Sequence, residues 1–227
     1  VTAVDLSFRA GVHELRIANA ARDNTFDMAA LDAWMAALDT VEASSGDSCL
    51  LIWSDHPKTF CNGIDLEWML AQPPADILAF VRRLEDLFLR VALLPLPTLA
   101  AINGNAYGGG AILATACDFR LMRADRGRFC YPEVRIRKAF TPAMIEVIRL
   151  LPNPRALNRL ALTADAIGGE EALALGVVDA IHPVATLLDE ARREAEILAG
   201  KNRPTYAEVK RMLRADLARY AAARSGA

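Results

Sequence analysis

Two glycine-centred turns hold the residue types whose spacing could do chemistry. The first, Lys58 to Leu66, reads KTFCNGIDL, with Gly63 after a strand-like run and Asp65 before a helix-like one. The second, Ile102 to Ile112, reads INGNAYGGGAI, and Gly108, Gly109 and Gly110 open an apolar segment of helical character. A helix start carries unpaired backbone N–H groups and the positive end of the helix dipole. A turn without side chains lets a ligand oxygen come close to those donors. Asp65 suits the cap of the helix that follows it. Two such turns facing each other would offer two N–H donors to one developing oxyanion. Losing one such donor typically costs about 100- to 1,000-fold in rate. Tight packing is the other use of such glycines. A dinucleotide fingerprint is absent, because no G-x-G-x-x-G precedes an acidic residue about 20 positions on. A phosphate-binding P-loop is absent too, because no Gly-Lys-Ser/Thr follows.

The segments around these turns read as an α/β scaffold. Val4 to Phe8 and Glu14 to Ile17 suggest an opening hairpin about Ala10-Gly11. From Asp27 to Val41 apolar residues recur at helical spacing, and Gly46 ends that region. Cys49 to Trp53 is a continuous apolar run, the pattern of a strand covered on both faces. A loop and a helix from about Leu66 follow. Asp76 to Leu94 is a long amphipathic helix stopped by Pro95 and Pro97. Thr98 to Ile102 and Phe119 to Arg123 are further strands around the second glycine turn. Beyond Pro142 the chain reads as mostly helical. Asn153 and Pro154 mark one helix start, Gly169 to Leu175 forms a short helix, and Thr186 to Leu198 and Pro204 to Ala223 form two final ones. The expected organisation is a core over residues 1–185 with a short helical region over 186–227.

Composition limits the function classes. The chain has 227 residues, 53% of them hydrophobic, enough for a full core. Its 26 basic and 28 acidic residues leave no excess of charge to draw in nucleic acid. No apolar run approaches the roughly 20 residues of a membrane span, and the first residues lack a leader's apolar run. Cys49, Cys61, Cys117 and Cys130 form no C-x-x-C pair and have no histidine at ligand spacing. No metal site is expected, Cys49 and Cys117 read as core residues, and a reducing, cytoplasmic setting is expected.

Several motifs together resemble the crotonase (enoyl-CoA hydratase/isomerase) family. They are FCNGIDL (Phe60 to Leu66), PTLAAINGNAYGGG (Pro97 to Gly110), Cys117-Asp118 and FCYPEV (Phe129 to Val134). ALTADAI (Ala161 to Ile167) and EALALGVVD (Glu171 to Asp179) are similar to its later segments. The resemblance covers roughly residues 4–212. It implies an α/β spiral of ββα units with a helical tail, assembled as a homotrimer or hexamer. It implies an acyl-CoA thioester substrate, no separate cofactor, and no nucleic-acid or membrane partner. By motif position the oxyanion hole would be the backbone N–H groups of Ile64 and Gly109.

The resemblance also bears on the reaction. Hydratases of the family use two glutamates, one two residues after the glycine triplet and one after the proline of the Pro-Glu pair. Here the first position is Ile112 and the second is Glu133. Hydration must activate water and deliver a proton, work usually shared by two groups. Moving one proton from C2 to C4 of a 3-enoyl thioester needs only one carboxylate, and an apolar Ile112 would keep water from the dienolate. The chain therefore resembles the single-glutamate Δ3,Δ2-enoyl-CoA isomerases, with Glu133 as acid and base. A pKa raised toward neutrality is expected of it. Lys58 and Lys210 would meet the CoA phosphates and nucleotide. Phe60, Gly63, Asp65, Gly108, Gly110 and Ile112 would shape the substrate site, with Trp68 and Met69 as further lining. Tyr107 and Tyr131 read as packing residues. Arg135, Arg137 and Lys138 depart from the family pattern and could lower the Glu133 pKa or contact CoA. Weak hydration, thioester hydrolysis, or acyl-CoA binding without catalysis are the alternatives.

Overall fold

Alternation of side chains along the strands decides which way the sheet faces. The computed structural model describes residues 3–225. Val4–Arg9 (β1) and Val12–Ile17 (β2) form the expected antiparallel hairpin, turning at Ala10 and Gly11. Met28–Ala43 (α1) starts at Asp27, whose side chain accepts the Ala30 N–H. Cys49–Ser54 (β3) then lies parallel to β2.

Thr59–Cys61 (β4), Leu66–Leu70 (α2) and Pro74–Leu93 (α3) follow. Next come Thr98–Ile102 (β5), Asn105–Tyr107 (β6) and Gly109–Ala116 (α4), then Phe119–Arg123 (β7), Phe129–Cys130 (β8) and Pro142–Ile148 (α5). Two strands and a helix thus recur three times. The first strand of each pair joins one sheet, of order β1-β2-β3-β5-β7-β9, where β9 is Ala180–His182, and the second joins another, of order β4-β6-β8. This is the spiral of ββα units that the resemblance implies. The entire second sheet is missing from the pattern-based expectation. Its strands are two or three residues long, too short to show any alternation.

Pro154–Thr163 (α6), Gly169–Ala174 (α7) and Ala180–His182 (β9) complete the core, and β9 was also unread. Asn153 caps α6 as expected, with its side chain accepting from Arg155 and Ala156 N–H.

The helical region after residue 185 is not a single appendage. Val184–Ala199 (α8) lays Leu187, Ala191, Ala195 and Leu198 on Val12, Cys49, Leu51, Leu99 and Leu121 of the large sheet. The opposite face, with Leu15, Ile17, Leu50, Ile52, Ala100 and Ile102, packs under α1, α3 and α4. Both faces are therefore covered, which is why the Cys49–Trp53 run is apolar throughout. The expected last helix is two, Arg203–Leu213 (α9) and Ala215–Ser225 (α10), broken at Arg214.

All four cysteines are free and buried. Among the described residues no helix is long and apolar enough to cross a membrane, and no cluster of side chains is arranged for a metal ion.

Candidate active site

The two glycine turns meet. Gly63, at φ +78°, ends the link from β4, and a Cβ placed on it would lie 2.8 Å from the Gly109 nitrogen and 2.9 Å from the Tyr107 oxygen. Any side chain there would push the turns apart. Gly110 permits the other close approach, since a Cβ on it would sit 1.9 Å from the Cys61 oxygen. The start of α4 therefore lies directly against the end of β4, because the second sheet pairs β4 with β6 just before that helix.

Backbone pairing leaves the two expected donors open. Phe26 bridges the first turn in parallel fashion: its N–H donates to Gly63 O at 2.7 Å, and its C=O accepts from Asp65 N–H at 2.9 Å. In a parallel bridge the residue between those two bonds points its own N–H the other way. That residue is Ile64. Gly109 is the first residue of α4, and its N–H is one of the orphans of a helix start. Among the described residues neither the Ile64 nor the Gly109 N–H finds an acceptor.

Glu133 sits in the turn between β8 and α5 and faces the second glycine turn. A Cβ on Gly108 would lie 3.7 Å from Glu133 Oε1. The residue is only 8% exposed, and its Oε2 has no hydrogen-bond partner among the described residues. Burial pushes its carboxyl up to about 7, against a smaller opposing pull from its own backbone N–H. A buried carboxyl without a partner resists ionisation because it exchanges water for nothing. The basic run after it does not lower its pKa. Arg135, Arg137 and Lys138 are all exposed. The Arg135 guanidinium instead donates to Ala164 O, and none of the three is a cause of the Glu133 shift.

The other expected site residues divide. Asp65 caps α2 through the Trp68 N–H at 2.9 Å and pairs with Arg22 at 2.6 Å. Lys58 is exposed beside the first turn. Ile112 is fully buried in α4, one helical turn after Gly108, whose C=O accepts its N–H. Tyr131 is a packing residue, as expected; its hydroxyl meets Thr115 Oγ1 at 2.5 Å and its ring lies between Phe129 and Phe140. Trp68 is half-buried against Phe80, with ring centres 4.9 Å apart.

Two of the expected residues are enclosed by protein. The Phe60 ring is closed inside the core at the centre of β4. Lys210 lies on α9. Its ammonium is buried and donates to Asp118 Oδ2 at 2.9 Å and Leu96 O at 3.2 Å. Tyr206, Lys210 and Arg214 recur every four residues on one face of α9 and its end. That face docks on Asp118, which also accepts from Thr98 N–H and Oγ1. Phe26 and Asn24, on which the first turn leans, escaped the sequence pattern. Their one signal was the Asn-Thr-Phe-Asp run ahead of α1, which marks a helix start but not a neighbour 36 residues away.

A surface cavity of about 830 Å³ lies elsewhere, between α1, α3 and α10, and includes neither Glu133 nor the glycine turns.

The sequence matches the family model described as enoyl-CoA hydratase/isomerase over residues 7–226. The chain belongs to the enoyl-CoA hydratase/isomerase family. It is 32% identical over 193 residues to enoyl-CoA delta isomerase 3 of Arabidopsis thaliana, covering 82% of this chain and 81% of that one. It is 36% identical over 188 residues to the fatty acid oxidation complex subunit alpha of Vibrio vulnificus, covering 79% of this chain but only 26% of that longer protein. The fold superposes on an enoyl-CoA hydratase of Mycobacterium marinum with a TM-score of 0.85 at 26% identity, over 95% and 92% of the two chains. The enoyl-CoA hydratase/isomerase chain thus has the α/β crotonase fold, with two sheets and C-terminal helices. Its relatives include both isomerases and hydratases.

Proposed function

We propose that this protein is a Δ3,Δ2-enoyl-CoA isomerase. The thioester oxygen of a 3-enoyl-CoA accepts from the Ile64 and Gly109 N–H groups. Glu133, ionised, removes a proton from C2. The electron pair moves into the carbonyl, giving a dienolate whose negative oxygen is held by the two amides. Glu133 then returns its proton to C4, and the double bond rests between C2 and C3. Atoms and charge balance with no other reactant, and CoA stays part of the substrate.

The observation that carries this is the pairing of one unpartnered buried carboxyl with two open amides. Glu133 is poised near neutrality by burial, as a group that must both take and give a proton requires. Two amides aimed at the same point stabilise charge that develops only during the reaction. Ile112 supplies no second carboxylate for activating water. Lys58, exposed at the first turn, fits an electrostatic contact with the CoA phosphates. Assembly as a homotrimer or hexamer belongs to the same proposal, and sedimentation velocity tests it.

The decisive experiment gives purified protein cis- and trans-3-enoyl-CoA and follows formation of the trans-2-enoyl product. Crotonyl-CoA hydration is measured in parallel. Fast isomerisation with slow hydration is expected. Hydration faster than isomerisation would replace this proposal with a hydratase.

A further inference from the structure

Both proposed amides lean on one short segment that takes no part in the chemistry. Asp23 and Asn24 stand side by side in the left-handed region, at φ +51° and +55°. Such a conformation is uncommon for residues with side chains, though Asn and Asp tolerate it best. It persists only where the surroundings hold it.

Here they do. Asn24 is 1% exposed. Its Nδ2 donates to Ser54 Oγ at 2.7 Å and Phe60 O at 3.0 Å, with Thr59 O at 3.4 Å. Two of these partners are carbonyls, which fixes the amide nitrogen on that side. Among the described residues its buried Oδ1 has no partner, so the side chain is placed for its donor end alone. Asn24 N–H also donates to Asn19 O, and Asn19 Nδ2 closes the turn on Thr25 O.

Two residues on, Phe26 meets both halves of the oxyanion site. Its backbone brackets Ile64, bonding to Gly63 O and to Asp65 N–H. Its ring packs against the other half, since a Cβ on Gly109 would lie 3.4 Å from Phe26 Cε2. The ring is itself held edge-on by Trp34 and Phe88, at 6.3 Å from each.

We infer that Asn24 and Phe26 are positioning residues that set the separation and aim of the Ile64 and Gly109 amides. Asn24 pins the segment to β3 and β4 through their Ser54, Thr59 and Phe60 groups, and Phe26 transmits that placement to both turns. This rests on the oxyanion reading proposed above.

The test uses a saturated acyl-CoA labelled with ¹³C at the thioester carbonyl, bound to the intact protein, with the carbonyl stretch read by infrared difference spectroscopy. Asn24→Gly removes all three side-chain bonds while suiting the positive φ. Phe26→Leu removes the ring and keeps the backbone bracket. In the unaltered protein the stretch is expected to move to lower frequency on binding. In both variants that shift should shrink by half or more. With 3-enoyl-CoA, kcat should fall about 10- to 100-fold, less than the loss of a whole donor. KM should change little, and the pH midpoint of kcat should stay where it was. A residue that only stabilises the fold would lower the unfolding temperature and leave the shift per bound ligand intact. Should Asn24→Gly fail to fold, Phe26→Leu decides alone. An undiminished shift in a folded variant overturns the positioning role. No shift in the unaltered protein overturns the oxyanion reading itself, and this inference with it.

Discussion

Asp118 and Glu133 are two carboxylates whose side chains are largely shut off from water, and they are opposites. Asp118 accepts from Thr98, Tyr206, Lys210 and Arg214. Glu133 has an oxygen with no partner among the described residues. The first is a charge fully answered by donors, and it fastens α9 to the core. The second is answered only by its own backbone N–H, and burial keeps it near the point of gaining a proton. Similar burial thus yields an anchor in one place and, on the proposed mechanism, a proton shuttle in the other. The difference lies in the neighbours supplied, not in the acid.

Removing each carboxylate should break the comparison in different ways. Glu133→Gln should lower isomerase kcat about 100- to 10,000-fold with the fold retained, read by product formation and circular dichroism. Near-normal turnover would rule Glu133 out as the base. Asp118→Ala should barely touch kcat per folded molecule but cost about 3–5 kcal/mol of stability, because it strands the buried Lys210 ammonium and the half-buried Arg214 guanidinium. Urea unfolding measures that loss.

The pH dependence sharpens the contrast. Activity should rise about tenfold per pH unit below the Glu133 midpoint and level off above about pH 7, as the carboxylate becomes the base. Stability should run the other way. The folded Glu133 holds its proton up to about 7, whereas its ordinary value is 4.5. The folded state therefore binds the extra proton between those values, and stability falls as pH rises through that window by roughly 3 kcal/mol. Glu133→Gln should then be more stable than the unaltered protein at pH 8, with the difference gone below about pH 4.5. Thermal unfolding at several pH values checks it. An equal loss of stability in both proteins across the window would place the titration elsewhere.

The smallest effect belongs to the surface. Lys58→Ala should raise KM for the CoA thioester by about 1.5- to 5-fold at low salt, as exposed charge pairs contribute little. High salt should erase even that.

Much of the scaffold was legible without coordinates. The continuous apolar run at Cys49–Trp53, the helical spacing of α1 and α3, and the caps at Asp65 and Asn153 each declare a local structure. Local rules suffice there because a strand's partners or a helix's cap lie within a few residues or leave a periodic trace. The short strands β4, β6, β8 and β9 leave no such trace. Their existence depends on pairing across the spiral. Lys210 shows the same limit from the other side. Its motif position implied a ligand contact, while the face it shares with Tyr206 and Arg214 answered Asp118 instead.

The amino-acid order by itself determined that two side-chain-free turns exist, that each opens a helix, and that one glutamate follows a proline nearby. Those are properties of neighbours in the chain. Tertiary structure alone decided that the turns touch, that Phe26 leaves the Ile64 N–H unclaimed, and that Glu133 is largely shut off from water with one oxygen unpaired among the described residues. Hydrogen-bond satisfaction and desolvation are sums over everything within a few ångströms, and most of what lies within that distance here is remote in sequence.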